Sequence, residues 1–248
     1  MEFVSKSDVG KKRTNNEDSM YAKVYNDDVA LFVVADGLGG YKSGEVASKI
    51  VVDIMSSFIE ENINIILAKS NDDIKAILNE ALNMANDKIY KLEKTDEKYN
   101  NMGTTIVTLL KVKDTLFSLS VGDTRMYHID LGLNDIKQLT VDDTYVNELL
   151  KTNVITKEQA KIHPQKHVLT KAIGVFKTLE VEVKILDETE GYFILCSDGL
   201  TNMLSDSEIL NCVKKTEFSN VAVKLVDLAN EKGGNDNITV ILTKKESK

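Results

Sequence analysis

Apolar runs that stop abruptly at a carboxylate are the most informative chemical feature of this sequence. The run "LFVVADG" stops at an aspartate, "YFILCSDG" does the same, and in "GGNDNITVIL" an aspartate comes just before a β-rich run. The carboxylates at such run ends are Glu17, Asp18, Asp36, Asp123, Asp198 and Asp236. If the run ends converge, these groups raise one another's pKa unless cations neutralise them. Sites with only oxygen ligands select Mg²⁺, Mn²⁺ or Ca²⁺, so the pattern predicts a divalent-metal site.

Each of these carboxylates also has a simpler interpretation when it is taken alone. An isolated Asp-Gly pair is usually a turn, so the metal hypothesis depends on the joint occurrence of the runs. Glycine lets the backbone approach closely, which makes the carbonyl of Gly37 a candidate ligand as well. The sequence "DGLGG" is not a phosphate-binding loop, because the following Lys-Ser/Thr and the required spacing are missing.

Two arginines lie near these carboxylates in a chain rich in lysine. Arg13 precedes Glu17 and Asp18 by a few residues, and its planar guanidinium group can bind a phosphate through two hydrogen bonds. Divalent metals together with an arginine suggest phosphoryl chemistry. Arg125, close to Asp123, is more simply interpreted as part of a structural ion pair.

Short β-type runs and longer helical patterns must position these residues. Strands are predicted at 20–25, 29–36, 104–112, 115–123, 125–130, 136–140, 180–186, 192–198 and 237–243. Helices are predicted at 43–58, 73–92, 206–213 and 218–231. The charged, weakly periodic stretch from 142 to 173 is predicted to be a partly exposed excursion from the sheet. Tight turns join several strands and regular βαβ alternation is absent, so we expect an α+β fold in which two antiparallel sheets pack together with helices outside.

Length and composition limit the class of protein. The chain has 248 residues, 42% of them hydrophobic, without a repeat or a flexible linker, so a single domain over 1–248 is expected. A net charge of −8 argues against a nucleic-acid-binding surface. The two cysteines form no metal-binding pattern, and no apolar run reaches membrane-spanning length. The N-terminal residues lack the basic and apolar regions of a signal peptide, so none is expected. These features favour a protein of the reducing cytoplasm with no membrane partner.

The motifs in order resemble a known family. They are "RTNNED" (13–18), "VVADGLGG" (33–40), "MGTT" (102–105), "VGDTR" (121–125), "LTKAIG" (169–174), "CSDGL" (196–200) and "GGNDNITV" (233–240). Over nearly the whole chain they resemble the metal-dependent type 2C serine/threonine protein phosphatases, the PPM family, of the bacterial housekeeping type. The resemblance implies a four-layer α-β-β-α sandwich, which agrees with the architecture expected above. The segment from about 140 to 171 resembles the bacterial flap.

The resemblance also implies how the metal ligands are shared. Asp18 is expected to bridge two divalent cations, Mn²⁺ or Mg²⁺. Asp36 and the carbonyl of Gly37 are expected to hold the first cation, and Asp198 and Asp236 the second.

Further roles follow from the same resemblance. Glu17 is expected to act in the outer shell through water, Asp123 with Asp198 to form a weaker third metal site, and Arg13 to bind the substrate phosphate. The implied reaction is hydrolysis of phosphoserine and phosphothreonine by direct attack of a hydroxide that bridges the two cations. Catalysis is thus assigned to Arg13 and Asp18.

The group that protonates the leaving oxygen stays open at this point. Leu38 occupies the position where many animal relatives have a histidine, which is a candidate general acid. Metal-bound water is one substitute. His163 and His167 in the flap are others, although such residues are more often merely exposed, and His128 is interpreted as an ordinary strand residue.

Two other classes of function remain as alternatives. A non-catalytic binding module of the same fold would be marked by lost ligands, and none is lost here. A small-molecule phosphatase with an aspartyl nucleophile typically needs Asp-x-Asp after the first strand, where this chain has Asp36-Gly-Leu. Under the phosphatase interpretation, the expected partners are phosphorylated proteins, including a serine/threonine kinase and its substrates. The protein itself is expected to be a monomer. Whether the targets are many or one, whether the cation is Mn²⁺ or Mg²⁺ and whether a third ion binds stay open.

Overall fold

The computed structural model describes residues 1–39, 43–95 and 97–245, in which two β-sheets are covered by helices. The strands are β1 (Glu2–Asp8), β2 (Asp18–Val24), β3 (Val29–Leu38), β4 (Gly103–Thr104), β5 (Ile106–Val112), β6 (Thr115–Val121), β7 (Arg125–Asp130), β8 (Asp135–Gln138), β9 (Lys184–Ile185), β10 (Gly191–Cys196) and β11 (Ile238–Lys245). The helices are α1 (Ser43–Glu61), α2 (Ile63–Leu67), α3 (Asn71–Thr95), α4 (Tyr145–Lys151), α5 (Lys157–Ile162), α6 (Asp198–Thr201), α7 (Asp206–Lys215) and α8 (Val221–Glu231).

The strand order of the two sheets agrees with the expected antiparallel architecture. One sheet has the order β1-β11-β10-β7-β8, and the other has the order β2-β3-β5-β6-β9 with β4 beside β3. Every pairing between these strands is antiparallel. The predicted α+β sandwich of two antiparallel sheets is therefore confirmed.

The apolar run in β3 is explained by burial on both faces. Leu31 and Val33 pack with the residues of α1 and α3, whereas Phe32 and Val34 pack against the other sheet. Successive side chains of a strand point to opposite faces, so a strand between two layers must be apolar at every position. A third cluster joins α7 and α8 to the outer face of the β10–β11 sheet and completes the four layers.

The two long helices follow the predicted periodicity. In α3 the buried stripe includes Ile74, Leu78, Ala85 and Ile89, as expected from their spacing. In α1 the most buried face runs through Val51 and its helical neighbours, while Val46, Ile50, Ile54 and Phe58 are only partly buried.

Two edge strands differ from the prediction. The N-terminal strand β1 was not predicted, because its sequence "EFVSKSD" is mostly polar and half exposed; it pairs with β11 over its whole length. The strand predicted at 180–186 shrinks to Lys184–Ile185, which pairs with β6. Its apolar residues Val183 and Leu186 are buried without extending the ladder. Edge strands are specified by one neighbour only, which makes their limits hard to read locally.

None of the helices in the described ranges is both long and apolar enough to cross a bilayer.

Candidate active site

Pairing of β2 with β3 brings the first two carboxylates together. The register places Asp18 directly opposite Asp36. Opposed residues of an antiparallel pair project from the same face of the sheet, with their Cβ atoms about 5 Å apart. The strand pairing alone therefore places two aspartates side by side.

The backbone at Asp36 is fixed by the "MGTT" segment. The hydroxyl of Thr104 and the N–H of Thr105 both donate to the carbonyl of Asp36 at 2.9 Å. In return, the N–H of Asp36 donates to Oγ1 of Thr105 at 3.0 Å. Gly37 follows, and a Cβ there would lie 2.1 Å from the carbonyl oxygen of Gly44 at the start of α1. Only glycine fits this close approach, which leaves the Gly37 backbone beside the carboxylates.

Asp198 comes from the other sheet, at the point where β10 passes into the short helix α6. Its Oδ2 accepts a hydrogen bond from Nδ2 of Asn202 at 2.9 Å. A Cβ at Gly199 would lie 1.9 Å from the carbonyl oxygen of Asn237, so a glycine is required for the helix to pack against the segment before β11. The preceding residue, Ser197, donates through its hydroxyl to Oδ2 of Asp18 at 2.7 Å and links the two sheets.

Asn237 holds the N-terminal carboxylate segment in place. Its Nδ2 donates to the carbonyls of Val9 and Asn15, each at 2.9 Å, and its Oδ1 accepts from the N–H of Glu17 at 2.8 Å. The side chain is buried. One amide thus anchors the loop that carries Glu17 and Asp18 to the start of β11.

Asp236 and Arg13 form an ion pair at the rim. Nη2 of Arg13 donates to Oδ2 of Asp236 at 2.8 Å, and the Arg13 side chain is 51% exposed. Exposed ion pairs of this kind contribute about 0–1 kcal/mol, so Arg13 is easily released to another anion.

Asp123 lies in the turn between β6 and β7, beside the root of the flap. The N–H of Gly122 donates to Oδ2 of Asp143 at 3.1 Å, and the N–H of Asp143 donates back to the Gly122 carbonyl at 2.8 Å. Arg125 binds both oxygens of Asp142 at 2.6–3.0 Å, in a pair that is mostly buried. Arg125 therefore makes the expected structural ion pair, and its partner is the first residue of the excursion.

The strand ends converge on one cavity of about 210 Å³. The sequence-predicted residues that line it are Arg13, Glu17, Asp36, Gly37, Asp123, Asp198 and Asp236. Asp18, the remaining predicted residue, is buried, with the charges of Asp198 and Asp236 acting on it. A larger cleft of about 600 Å³ adjoins the cavity through Asp123 and Asp198 and is bounded by α4 and α5 of the flap.

Comparison with known proteins identifies the family. The family model described as protein phosphatase 2C matches residues 10–243. The serine/threonine phosphatase stp of Listeria welshimeri is 36% identical over 242 residues, which cover 97% of this chain and 94% of that one. The chain belongs to the protein phosphatase 2C family.

Two solved structures of serine/threonine phosphatases are similar to this chain in fold as well as in sequence. The Mycobacterium tuberculosis phosphatase PstP/Ppp has a TM-score of 0.87 and 31% identity, with 99% of each chain covered. The catalytic domain of PstP in complex with two manganese ions has a TM-score of 0.84 and 31% identity, covering 99% of this chain and 98% of that one.

In this protein phosphatase 2C chain the buried carboxylates are electrostatically unsatisfied. Burial raises the pKa of Asp18 to about 7; Ser197 and Thr239 oppose this by hydrogen bonding, and Asp198 and Asp236 reinforce it by repulsion. Burial, followed by the charges of Asp18 and Asp198, also raises the pKa of Asp36 well above its ordinary value. Bound cations would offset this burial and repulsion and stabilise the charged form of the carboxylates.

Two oxygen atoms show that these residues fit divalent cations. Oδ1 of Asp18 and Oδ1 of Asp198 are buried and have no hydrogen-bond partner among the described residues. Buried polar atoms are almost always paired, so such orphans indicate an unplaced ion or water. Oxygen-only donors around them are the ligands of hard cations.

The side chains are not all turned toward one point. Within 1–39, 43–95 and 97–245, no three His, Cys, Asp or Glu side chains stand ready to hold one metal ion together. Asp236 is turned to Arg13 and Asp198 to Asn202. Asp236 would therefore exchange Arg13 for a cation, whereas Asp198 can keep Asn202 on Oδ2 and offer its unpaired Oδ1.

Sequence reasoning assigned no role to several residues that build this site. Ser197, Asn237, Thr104 and Thr105 lie within the quoted motifs, yet they hold the carboxylates rather than act themselves. The signal available was their place in the motifs "MGTT", "CSDGL" and "GGNDNITV".

Proposed function

We propose that this chain is a metal-dependent serine/threonine protein phosphatase that hydrolyses phosphoserine and phosphothreonine in proteins. The observation that carries the proposal is the convergence of carboxylates from separate strand ends on one cavity that also contains Arg13. This arrangement provides oxygen ligands for cations and one cationic fork for a phosphate.

The residues that would hold two cations follow from this placement. Asp18 would be shared between them, Asp36 and the Gly37 carbonyl would serve one, and Asp198 and Asp236 the other. When bound, the two divalent cations supply Lewis acidity that lowers the pKa of a water molecule and offsets charge on the phosphoryl oxygens.

Two more carboxylates complete the proposed set. Asp123 with Asp198 would form a weaker third site, and Glu17 would act through water. Burial raises the pKa of Glu17, with Asp236 adding repulsion and Arg13 opposing the shift.

The thiol of Cys196 is not a suitable nucleophile for this reaction. Cys196 is buried, and burial raises the pKa of its thiol to about 12. A thiol that stays protonated is a poor nucleophile, so Cys196 does not compete with direct attack by water. Arg13 at the rim would orient the phosphate and bind its developing charge.

The direct test is phosphate release from a phosphothreonine peptide, first with Mn²⁺ and then with an excess of chelator. Turnover is expected with Mn²⁺ and is expected to disappear with chelator, because the carboxylate cavity needs cations to activate water. Folded protein that binds Mn²⁺ but hydrolyses no phosphopeptide would instead be a binding module.

Replacement of Arg13 tests the phosphate-binding role. For Arg13→Ala we expect KM for the phosphopeptide to rise about tenfold, which corresponds to about 1.4 kcal/mol, the size of a hydrogen bond to a charged group. Arg13→Lys should restore only part of the affinity, because an ammonium group lacks the planar fork. Lys12→Ala is the matched control, because it removes the positive side chain next to Arg13 in the sequence. Equal KM values for Arg13→Ala and wild type would contradict the role.

The wider setting is part of the proposal. We infer a single phosphatase domain over 1–248 with a flap at about 140–171, supported by the family match over 10–243. The substrates would be phosphoproteins of the cytoplasm, including a serine/threonine kinase and its targets, bound by a monomer. The net charge of −8 speaks against a nucleic-acid partner.

A further inference from the structure

The proposed reaction needs a proton for the departing oxygen. A serine or threonine alkoxide is a poor leaving group unless it is protonated as its bond to phosphorus breaks. The side chain that follows Asp36 and Gly37 into the cavity is that of Leu38, which has no proton to give. Among the described residues lining the cavity, His167 is the one imidazole.

The structure separates the three histidines of the chain, which the sequence alone did not. Nε2 of His128 donates a hydrogen bond to the carbonyl of Glu190 at 2.7 Å, away from the cavity. His163 lies 6.0 Å from the ring of Tyr145, centroid to centroid, and its Nδ1 accepts from the N–H of Gln165 at 3.1 Å. His167 lines both the small cavity and the larger cleft of the flap.

The position of His167 is set where the returning end of the flap pairs with the first residues of the flap. The N–H of Tyr145 donates to the carbonyl of Val168 at 2.8 Å, and the N–H of Thr170 donates to the carbonyl of Asp143 at 2.8 Å. Between them, Leu169 forms a β-bridge with Thr144 and lines the same small cavity. The residue just before this anchored segment is therefore held at the mouth of the cavity.

His167 also lines both spaces together with Asp198, a residue of the proposed metal site. Burial raises the pKa of Asp198, and the charge of Asp236 raises it further, whereas Asn202 and then His167 act to lower it. The imidazole of His167 thus lies near a residue of the proposed metal site. It is exposed, so it can regain a proton from bulk water after each turnover.

We propose that His167 is the catalytic residue that donates the proton to the departing serine or threonine oxygen; this assignment rests on the proposed function. In the step, a water oxygen forms a bond to phosphorus and loses its proton to the solvent. The bond between phosphorus and the side-chain oxygen breaks, and its electron pair goes to that oxygen. The imidazolium N–H of His167 supplies the proton that completes the hydroxyl group.

The test compares His167→Gln with His163→Gln, a matched change in the same flap but outside the cavity. Two substrates are used with Mn²⁺: a phosphoserine peptide, and a series of aryl phosphates whose phenols become progressively more acidic. For His167→Gln we expect kcat on the peptide to fall about 100-fold, the lower end of a general acid's contribution. Hydrolysis of the most activated aryl phosphate should be nearly unchanged, because that leaving group needs no proton. His163→Gln should resemble wild type on both substrates.

Several results would overturn the assignment. An equal fall on peptide and aryl phosphates, or a change confined to KM, would make His167 a binding or structural residue. The same dependence on the leaving group in Asp123→Asn, with none in His167→Gln, would transfer the role to Asp123. Wild-type protein that hydrolyses neither substrate would remove the proposed function itself. His167 is exposed, so a comparison of thermal melts suffices to show that the variant is folded.

Discussion

Asp198→Asn is expected to reduce Mn²⁺-dependent phosphate release about 1,000-fold or more. That loss corresponds to about 4 kcal/mol of transition-state stabilisation, the scale on which a metal site contributes. The substitution removes one negative charge from the cavity but keeps an oxygen that accepts the Asn202 hydrogen bond, present in the wild type at 2.9 Å. The fold is therefore preserved while the proposed ligand to the second and third cations is weakened.

Two measurements should be made together on this variant. Phosphate release gives the activity, and the rise in Tm on adding Mn²⁺ reports cation binding independently of turnover. Asp206→Asn is the control, because Asp206 lines the larger cleft but not the small cavity. If Asp198→Asn kept wild-type turnover and a wild-type Tm shift, the placement of the metal site would be wrong.

The chelator-treated protein is expected to lose stability as the pH rises from about 5 to 8. Burial raises the pKa of Asp18 and of Asp123 to about 7 in the folded state, and repulsion from Asp198 reinforces both shifts. The unfolded chain has ordinary aspartate values near 4, so the folded state binds more protons between these limits. Stability from these groups is full below about pH 4 and is lost as they ionise through about pH 7. One unit of raised pKa corresponds to about 1.4 kcal/mol, so the total loss should exceed that value.

The variant Asp36→Asn sharpens this second prediction. It removes a carboxyl group whose pKa burial and the charges of Asp18 and Asp198 raise strongly. Its metal-free Tm at pH 8 should therefore exceed that of the wild type by at least about 2–4 °C, the shift produced by 1 kcal/mol in a domain of this size. Thermal melts in chelator from pH 5 to 8 measure both effects, with Asp206→Asn as the unchanged control. Stability that stayed level or rose over this range would show that the carboxylates are not held as described.

The apolar patterns account for most of the correct fold prediction. The continuous apolar run in β3 and the apolar stripe in α3 indicate which faces are buried, because side-chain direction repeats with the period of the local backbone. The edge strand β1 was not predicted, and β9 was predicted too long, because only one neighbouring strand specifies each of them. Antiparallel sheets with helices outside then followed from the tight turns and the lack of βαβ alternation.

The sequence by itself determined which residue types stand at the strand ends, and in what order, because a carboxylate after an apolar run is a local signal. Only the tertiary structure decided what holds them. Ser197 reaches Asp18 across 179 residues and Asn237 reaches Glu17 across 220, and hydrogen bonds between such distant loops have no local pattern. The choice between His163 and His167 was likewise tertiary. Both lie in one polar stretch of the flap, and only the pairing of Val168–Thr170 with residues 143–145 at the start of the flap places one of them at the cavity.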